Sequence, residues 1–230
     1  MLPMSEEMPE EEQLGEDIIQ VFSDGSGLSC QVGAAVVMYR KGRGPRMLRY
    51  YLSPLTKHTV FEAEAVGLLL VLHMLKYKCD APWAIVRLDN QAILGALHIC
   101  KPSPVQAIID KIIAQMERNC EGASNPAYTL DITWVWGHSR VKGNERVDWE
   151  VKEAVLRAVP ESTGPGVRVG RVRSSGGRGF SEWVAAPTRL SCPGFSRGKG
   201  STQRMTASRA EGQGGYECRV EIYFHGDVIR

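Results

Sequence analysis

Several large protein classes are excluded by what this chain lacks. Its six cysteines (Cys30, Cys79, Cys100, Cys120, Cys192 and Cys218) are scattered. No two form a C-x-x-C pair and no histidines cluster, so neither a disulfide framework nor a structural zinc site organises the chain. No apolar run is long enough to span a bilayer. A secretory leader would be basic and then apolar, whereas residues 1–17 hold seven acids and no Lys or Arg. The expectation is a soluble, intracellular protein with no membrane partner; nothing separates nucleus from cytoplasm. There is no internal repeat, which excludes a solenoid.

The 230 residues are 43% hydrophobic, enough for a real core. Charge divides the chain into three. Residues 1–16 read as a disordered acidic leader. From Ile18 to Leu156 there are 16 basic and 13 acidic residues, whereas from Arg157 onward there are twelve basic and six acidic. Residues 160–217 hold half of the 24 glycines, with many Ser and Arg. We therefore expect a domain over 17–159 and a disordered tail over 160–230. A near-neutral body with a basic tail is compatible with a nucleic-acid partner without establishing one.

Within the domain, Ile18 to Ser23 reads as a strand feeding a turn at Asp24-Gly25-Ser26-Gly27. Val32 to Tyr39 and Met47 to Leu52 follow as strands two and three of an antiparallel meander. Thr59 and Glu62 form a capping box that starts a helix. Glu64, Leu68, Val71, Leu72 and Leu75 then share one face, and Glu62 lies roughly 200° from Glu64. A carboxylate on that apolar stripe calls for a metal or a cation. Ala84 to Leu88 is a strand stopping at Asp89-Asn90-Gln91, followed by a short helix, Gln91 to Ile99, and a longer one, Val105 to Met116. A last strand, Tyr128 to Trp136, leads through Gly137-His138-Ser139 into a helix from Asn144 to about Ala158, with Asp148 near its first turn. The order βββ-α-β-α-α-β-α predicts an α/β fold: a five-stranded mixed sheet, three antiparallel strands and then two more, with helices on both faces. Glu217 to Phe224 alternates like a strand but has no visible neighbour to pair with.

Each acid alone has an ordinary explanation. Asp-Gly-Ser favours turns, Asp89-Asn90-Gln91 fits a helix N-cap, and Asp148 suits a helix dipole. Together, Asp24, Glu64, Asp89 and Asp148 would repel strongly without cations between them. Oxygen ligands of this type suit Mg²⁺ or Mn²⁺.

The set Asp24-Gly25-Ser26, Ala63-Glu64, Asp89-Asn90-Gln91 and Gly137-His138-Ser139…Gly143-Asn144-Glu145-Arg146-Val147-Asp148 resembles the ribonuclease H family, in particular the type found in fungal and other eukaryotic retroelements. The resemblance covers about Ile18 to Ala158 and includes the element order. It implies a ribonuclease H-like fold and a retrotransposon-derived, monomeric, hydrolytic endonuclease. Such an enzyme cuts the RNA strand of RNA–DNA hybrids with two Mg²⁺ ions, Mn²⁺ being a substitute. By the same resemblance Asp24, Glu64, Asp89 and Asp148 hold metal, and His138 assists proton transfer or product departure. Gly25, Ser26, Asn90 and Gln91 contact substrate, with backbone groups around Gly25-Ser26 and the Gln91 side chain reading RNA 2′-hydroxyls. Two alternatives stay open: a catalytically silent nucleic-acid-binding remnant, and a related DNA nuclease such as an integrase or resolvase. The chain also departs from the family pattern. Val60-Phe61 stands where many cellular members carry an asparagine pair. Trp136, Arg140 and Trp149 replace a usual proline, a small residue and a polar residue. Ile99 to Val105 is too short for an extra basic helix.

Overall fold

The computed structural model describes residues 18–76, 81–98, 105–121, 129–135, 141–158, 202–208 and 217–223. Strands β1 (Ile18–Leu28), β2 (Gln31–Arg40) and β3 (Arg43–Pro54) form the expected meander. Helix α1 (Val60–Leu75) crosses to β4 (Trp83–Leu88), and α2 (Gln91–His98) and α3 (Gln106–Glu121) cross to β5 (Thr129–Trp134). Helix α4 is Lys142–Ala158, and β6 (Thr202–Ser208) and β7 (Glu217–Tyr223) follow. The sheet order is β3-β2-β1-β4-β5-β7-β6. Its first five strands are the predicted mixed sheet, antiparallel across β1–β3 and parallel at β1–β4 and β4–β5. This is the ribonuclease H-like architecture.

Strand alternation gives the sheet two apolar faces. Ile19, Val21, Ala34 and Val36 join α1, α2 and α3 in the main core, whereas Phe22, Ala35, Val37 and Tyr39 meet Val147 and Val151 of α4 on the other side. Helices therefore cover both faces, as expected. Helix α1 is buried on more than the one predicted face, from Ala63 through Leu72, because it lies under the sheet and against α3.

Three sequence expectations need correction. Strand β1 does not end at Ser23. It stays paired with β2 through Leu28↔Gln31, so Asp24-Gly25-Ser26-Gly27 is strand. The turn is Ser29-Cys30, both left-handed (φ 50° and 61°), the two-residue geometry that matches strand twist. Helix α4 begins at Lys142, which moves Asp148 into the second turn. Finally, β7 does have neighbours: it runs parallel to β5 and antiparallel to β6, within the stretch expected to be a tail. A disordered reading missed this because the partner of β7 on one side is β5, far back in the chain.

Candidate metal centre

Four elements bring the acids together. The parallel register of β1 and β4 ends at Ser23↔Leu88, so Asp24 and Asp89 are the next residues of two adjacent strands. The tip of β4 is held by Val135 N–H donating to the Leu88 carbonyl (2.8 Å) and by Trp134 Nε1–H donating to the Asp89 carbonyl (3.0 Å). Glu64 arrives from α1, whose start is fixed by the predicted capping box: the Glu62 amide donates to Thr59 Oγ1 (3.2 Å) and the Thr59 amide to Glu62 Oε2 (2.6 Å). Carboxylate oxygens of Asp24, Glu64 and Asp89 all lie within 4.8 Å of one another.

Gly25 makes this convergence sterically possible. A Cβ there would overlap the backbone nitrogen of Glu64 and the carbonyl carbon of Ala63, so β1 and α1 touch backbone to backbone. The Gly25 amide donates to Glu64 Oε2 at 3.1 Å. Backbone groups around Gly25 and Ser26 were expected to contact substrate, and the Gly25 amide is engaged by Glu64. Ser26 does line the pocket. Asn90 caps α2, accepting from the Ala92 amide (2.9 Å), and its side chain also hydrogen-bonds Glu64. Gln91 is exposed at the first position of α2.

Helix α4 closes the fourth side. A Cβ at Gly143 would overlap the Phe22 ring, so the helix start sits directly on β1. Asp24, Ser26, Asp89, Val141, Asn144, Glu145 and Asp148 then line one pocket of about 140 Å³. Asp148 lies on its wall rather than in the tight trio, and Lys152, one turn on, pairs with its Oδ2 at 2.5 Å. Asn144 was not singled out from the sequence. It lines the pocket, and its buried Oδ1 has no hydrogen-bond partner among the described residues. The i, i+4 spacing from Asp148 on α4 was the available signal. His138 lies outside the described residues.

Burial and mutual repulsion dominate the electrostatics of the cluster. Burial, then the charges of Asp89 and Asp148, push Asp24 up to about 7. Burial, then Asp24 and Asp89, push Glu64 up to about 9. An all-carboxylate donor set fits a hard divalent ion such as Mg²⁺ or Mn²⁺.

No family model and no curated protein matches the chain. Solved structures do. Ribonuclease H1 from the halophilic archaeon Halobacterium salinarum NRC-1 is 19% identical, with 62% of this chain and 99% of that one covered at a TM-score of 0.46. The N-terminal RNase H domain of Rv2228c from Mycobacterium tuberculosis is 16% identical (61% and 95% covered, TM-score 0.48). LC11-RNase H1, isolated from compost by a metagenomic approach and solved in complex with an RNA/DNA hybrid, is 20% identical (61% and 98% covered, TM-score 0.47).

Proposed function

We propose that this chain is a metal-dependent endoribonuclease of the ribonuclease H type that cleaves the RNA strand of RNA–DNA hybrids. The observation that carries the reading is the clustering of Asp24, Glu64 and Asp89 within 4.8 Å, with Asp148 on the wall of the same pocket. Asp24, Glu64, Asp89 and Asp148 would hold two Mg²⁺ ions. Bound there, the ions would supply Lewis acidity for activating water and stabilising the leaving oxygen. The protein's own contribution is positional. Gly25 and Asn90 fix Glu64, Trp134 fixes the end of β4, and the Gly143–Phe22 contact fixes the approach of α4. His138, on the segment between β5 and α4, would carry a proton or assist departure of the product, tasks suited to a group titrating near neutrality. Ser26 and Gln91 would contact the substrate, and the products would carry 5′-phosphate and 3′-hydroxyl ends. Origin in a retrotransposon rests on the sequence motifs.

A labelled hybrid incubated with the full chain and Mg²⁺ tests this. We expect cleavage confined to the RNA strand, reduced by at least about a thousandfold in Asp24→Asn and in Asp89→Asn, the scale of several kcal/mol of lost charge stabilisation. Metal-dependent binding with no product, from folded protein in Mg²⁺ and in Mn²⁺, would instead identify a silent binding domain.

A further inference from the structure

The tip of the β2–β3 hairpin concentrates positive charge that its own strands do not offset. Arg40 and Arg43 stand directly opposite each other across the two-residue turn Lys41-Gly42, and Arg46 follows opposite Met38. Like charges directly opposite each other on paired strands repel. The meander supplies no acid nearby: after Asp24 the next Asp or Glu in the chain is Glu62. Lys41, Arg43 and Arg46 are exposed. An added Cβ at Gly42 or Gly44 would meet nothing within 4 Å, so the tip projects into open space. It is also remote from the carboxylates. Arg40 pairs with Ile19 at the start of β1, and Asp24 lies about 17 Å further along that strand.

Negative charge for this surface has to come from outside the meander, and the chain attaches a polyanion beside it. Residues 1–17 lie outside the described residues, but their charge and their point of attachment are known. They hold seven acids and no Lys or Arg, and they join the fold at Ile18, next to the Ile19 that pairs with Arg40. We propose that this acidic leader docks on the basic hairpin tip, on Arg40, Lys41, Arg43 and Arg46, and so keeps nucleic-acid phosphate off a surface remote from the carboxylates. Attachment at this end of β1 gives the leader an effective concentration on the order of millimolar at the tip. Its residues could span about 60 Å if extended, so reach does not limit the contact. Each exposed charge pair is weak and is screened by salt, so the contact depends on the number of charges. A phosphate chain displaces the leader by the same exchange of counterions that governs nucleic-acid binding in general. The contact would form whether or not the carboxylates hold metal.

Zero-length carbodiimide coupling of the full chain, read by peptide mass spectrometry, tests the contact directly. In about 20 mM salt we expect Lys41 to be joined through an amide bond to a leader glutamate, and in about 500 mM salt we expect that product to fall at least about fivefold. Leader carboxylates coupled only to lysines elsewhere, or no coupling at Lys41, would overturn the proposal. A four-way comparison then reads what the contact does. Affinity for a labelled single-stranded DNA of about 20 nucleotides is measured at low salt without divalent ions. The proteins are the full chain, a neutral leader (Glu6→Gln, Glu7→Gln, Glu10→Gln, Glu11→Gln and Glu12→Gln together), Arg43→Gln with Arg46→Gln, and the two sets combined. The neutral leader should bind about tenfold more tightly, because the tip is uncovered. The two arginine substitutions should change binding by about twofold or less while the leader is intact, and should remove most of the gain when it is neutral. No gain, or an equal gain with and without Arg43 and Arg46, overturns the docking, because the leader then acts elsewhere or through net charge alone. A loss of about tenfold from the arginine substitutions alone overturns it too, because the tip is then already open to nucleic acid.

Discussion

Asp24 and Glu64 make the metal-free protein sensitive to pH in a direction that can be worked out. Folding raises Asp24 from its ordinary value near 3.8 to about 7 and Glu64 from near 4.5 to about 9, burial being the larger cause in each case and neighbouring acids the next. Between the unfolded and folded values the native state binds protons that the unfolded chain has released. Stability is therefore present at low pH and is lost as pH rises through the folded values. Without divalent ions the melting temperature should fall between about pH 5 and about pH 8. Saturating Mg²⁺ should remove most of that slope, because the ions replace the protons and bind the native state alone. A metal-free protein equally stable across this range would contradict the electrostatic account. The acids were legible in the sequence because each sits in a recognisable local setting. The use of the Gly25 amide by Glu64 was not legible, since it depends on β1 and α1 touching over 39 residues of separation.

At the scale of elements, α4 is joined to the edge of the sheet by a buried charge. Glu150 has a fully buried side chain paired with Arg49 of β3 and with Arg146 one turn earlier on α4 (2.9 Å). The two guanidinium carbons lie 5.7 and 5.3 Å from the centre of the Trp149 ring. This cluster anchors the helix that carries Asp148. Glu150→Gln leaves two arginines without their carboxylate, and we expect a loss of about 3–5 kcal/mol in urea unfolding. A loss below about 1 kcal/mol would show the pair to be incidental. Arg146 and Glu150 are a legible i, i+4 pair, but nothing local announces the link to Arg49, 101 residues away. The start of α1, by contrast, was readable to the residue because a capping box is written entirely in four consecutive positions. The end of β1 was misplaced for the opposite reason. Asp-Gly-Ser has turn chemistry, and only pairing with β2 keeps it extended.

For the whole molecule, the five-strand order was legible because short turns join the first three strands and helical periodicity follows the third, fourth and fifth. The extension of the sheet was not. Strand β7 covers the edge of β5 and contributes Val220 to the main core, with β6 beyond it. A chain cut after Ala158 would leave the N–H and C=O row of β5 without this partner. We expect it to unfold at lower temperature than the full chain and to aggregate more readily; equal melting and monodispersity would show the added strands to be dispensable. The central claim is that acids from β1, α1, the end of β4 and α4 bind divalent ions together. Anomalous scattering from crystals equilibrated with Mn²⁺ tests it most directly. The account predicts manganese peaks in contact with Asp24, Glu64 and Asp89, with Asp148 completing a second position. Manganese-free density between these carboxylates at saturating Mn²⁺, or peaks confined to other surface acids, would contradict it.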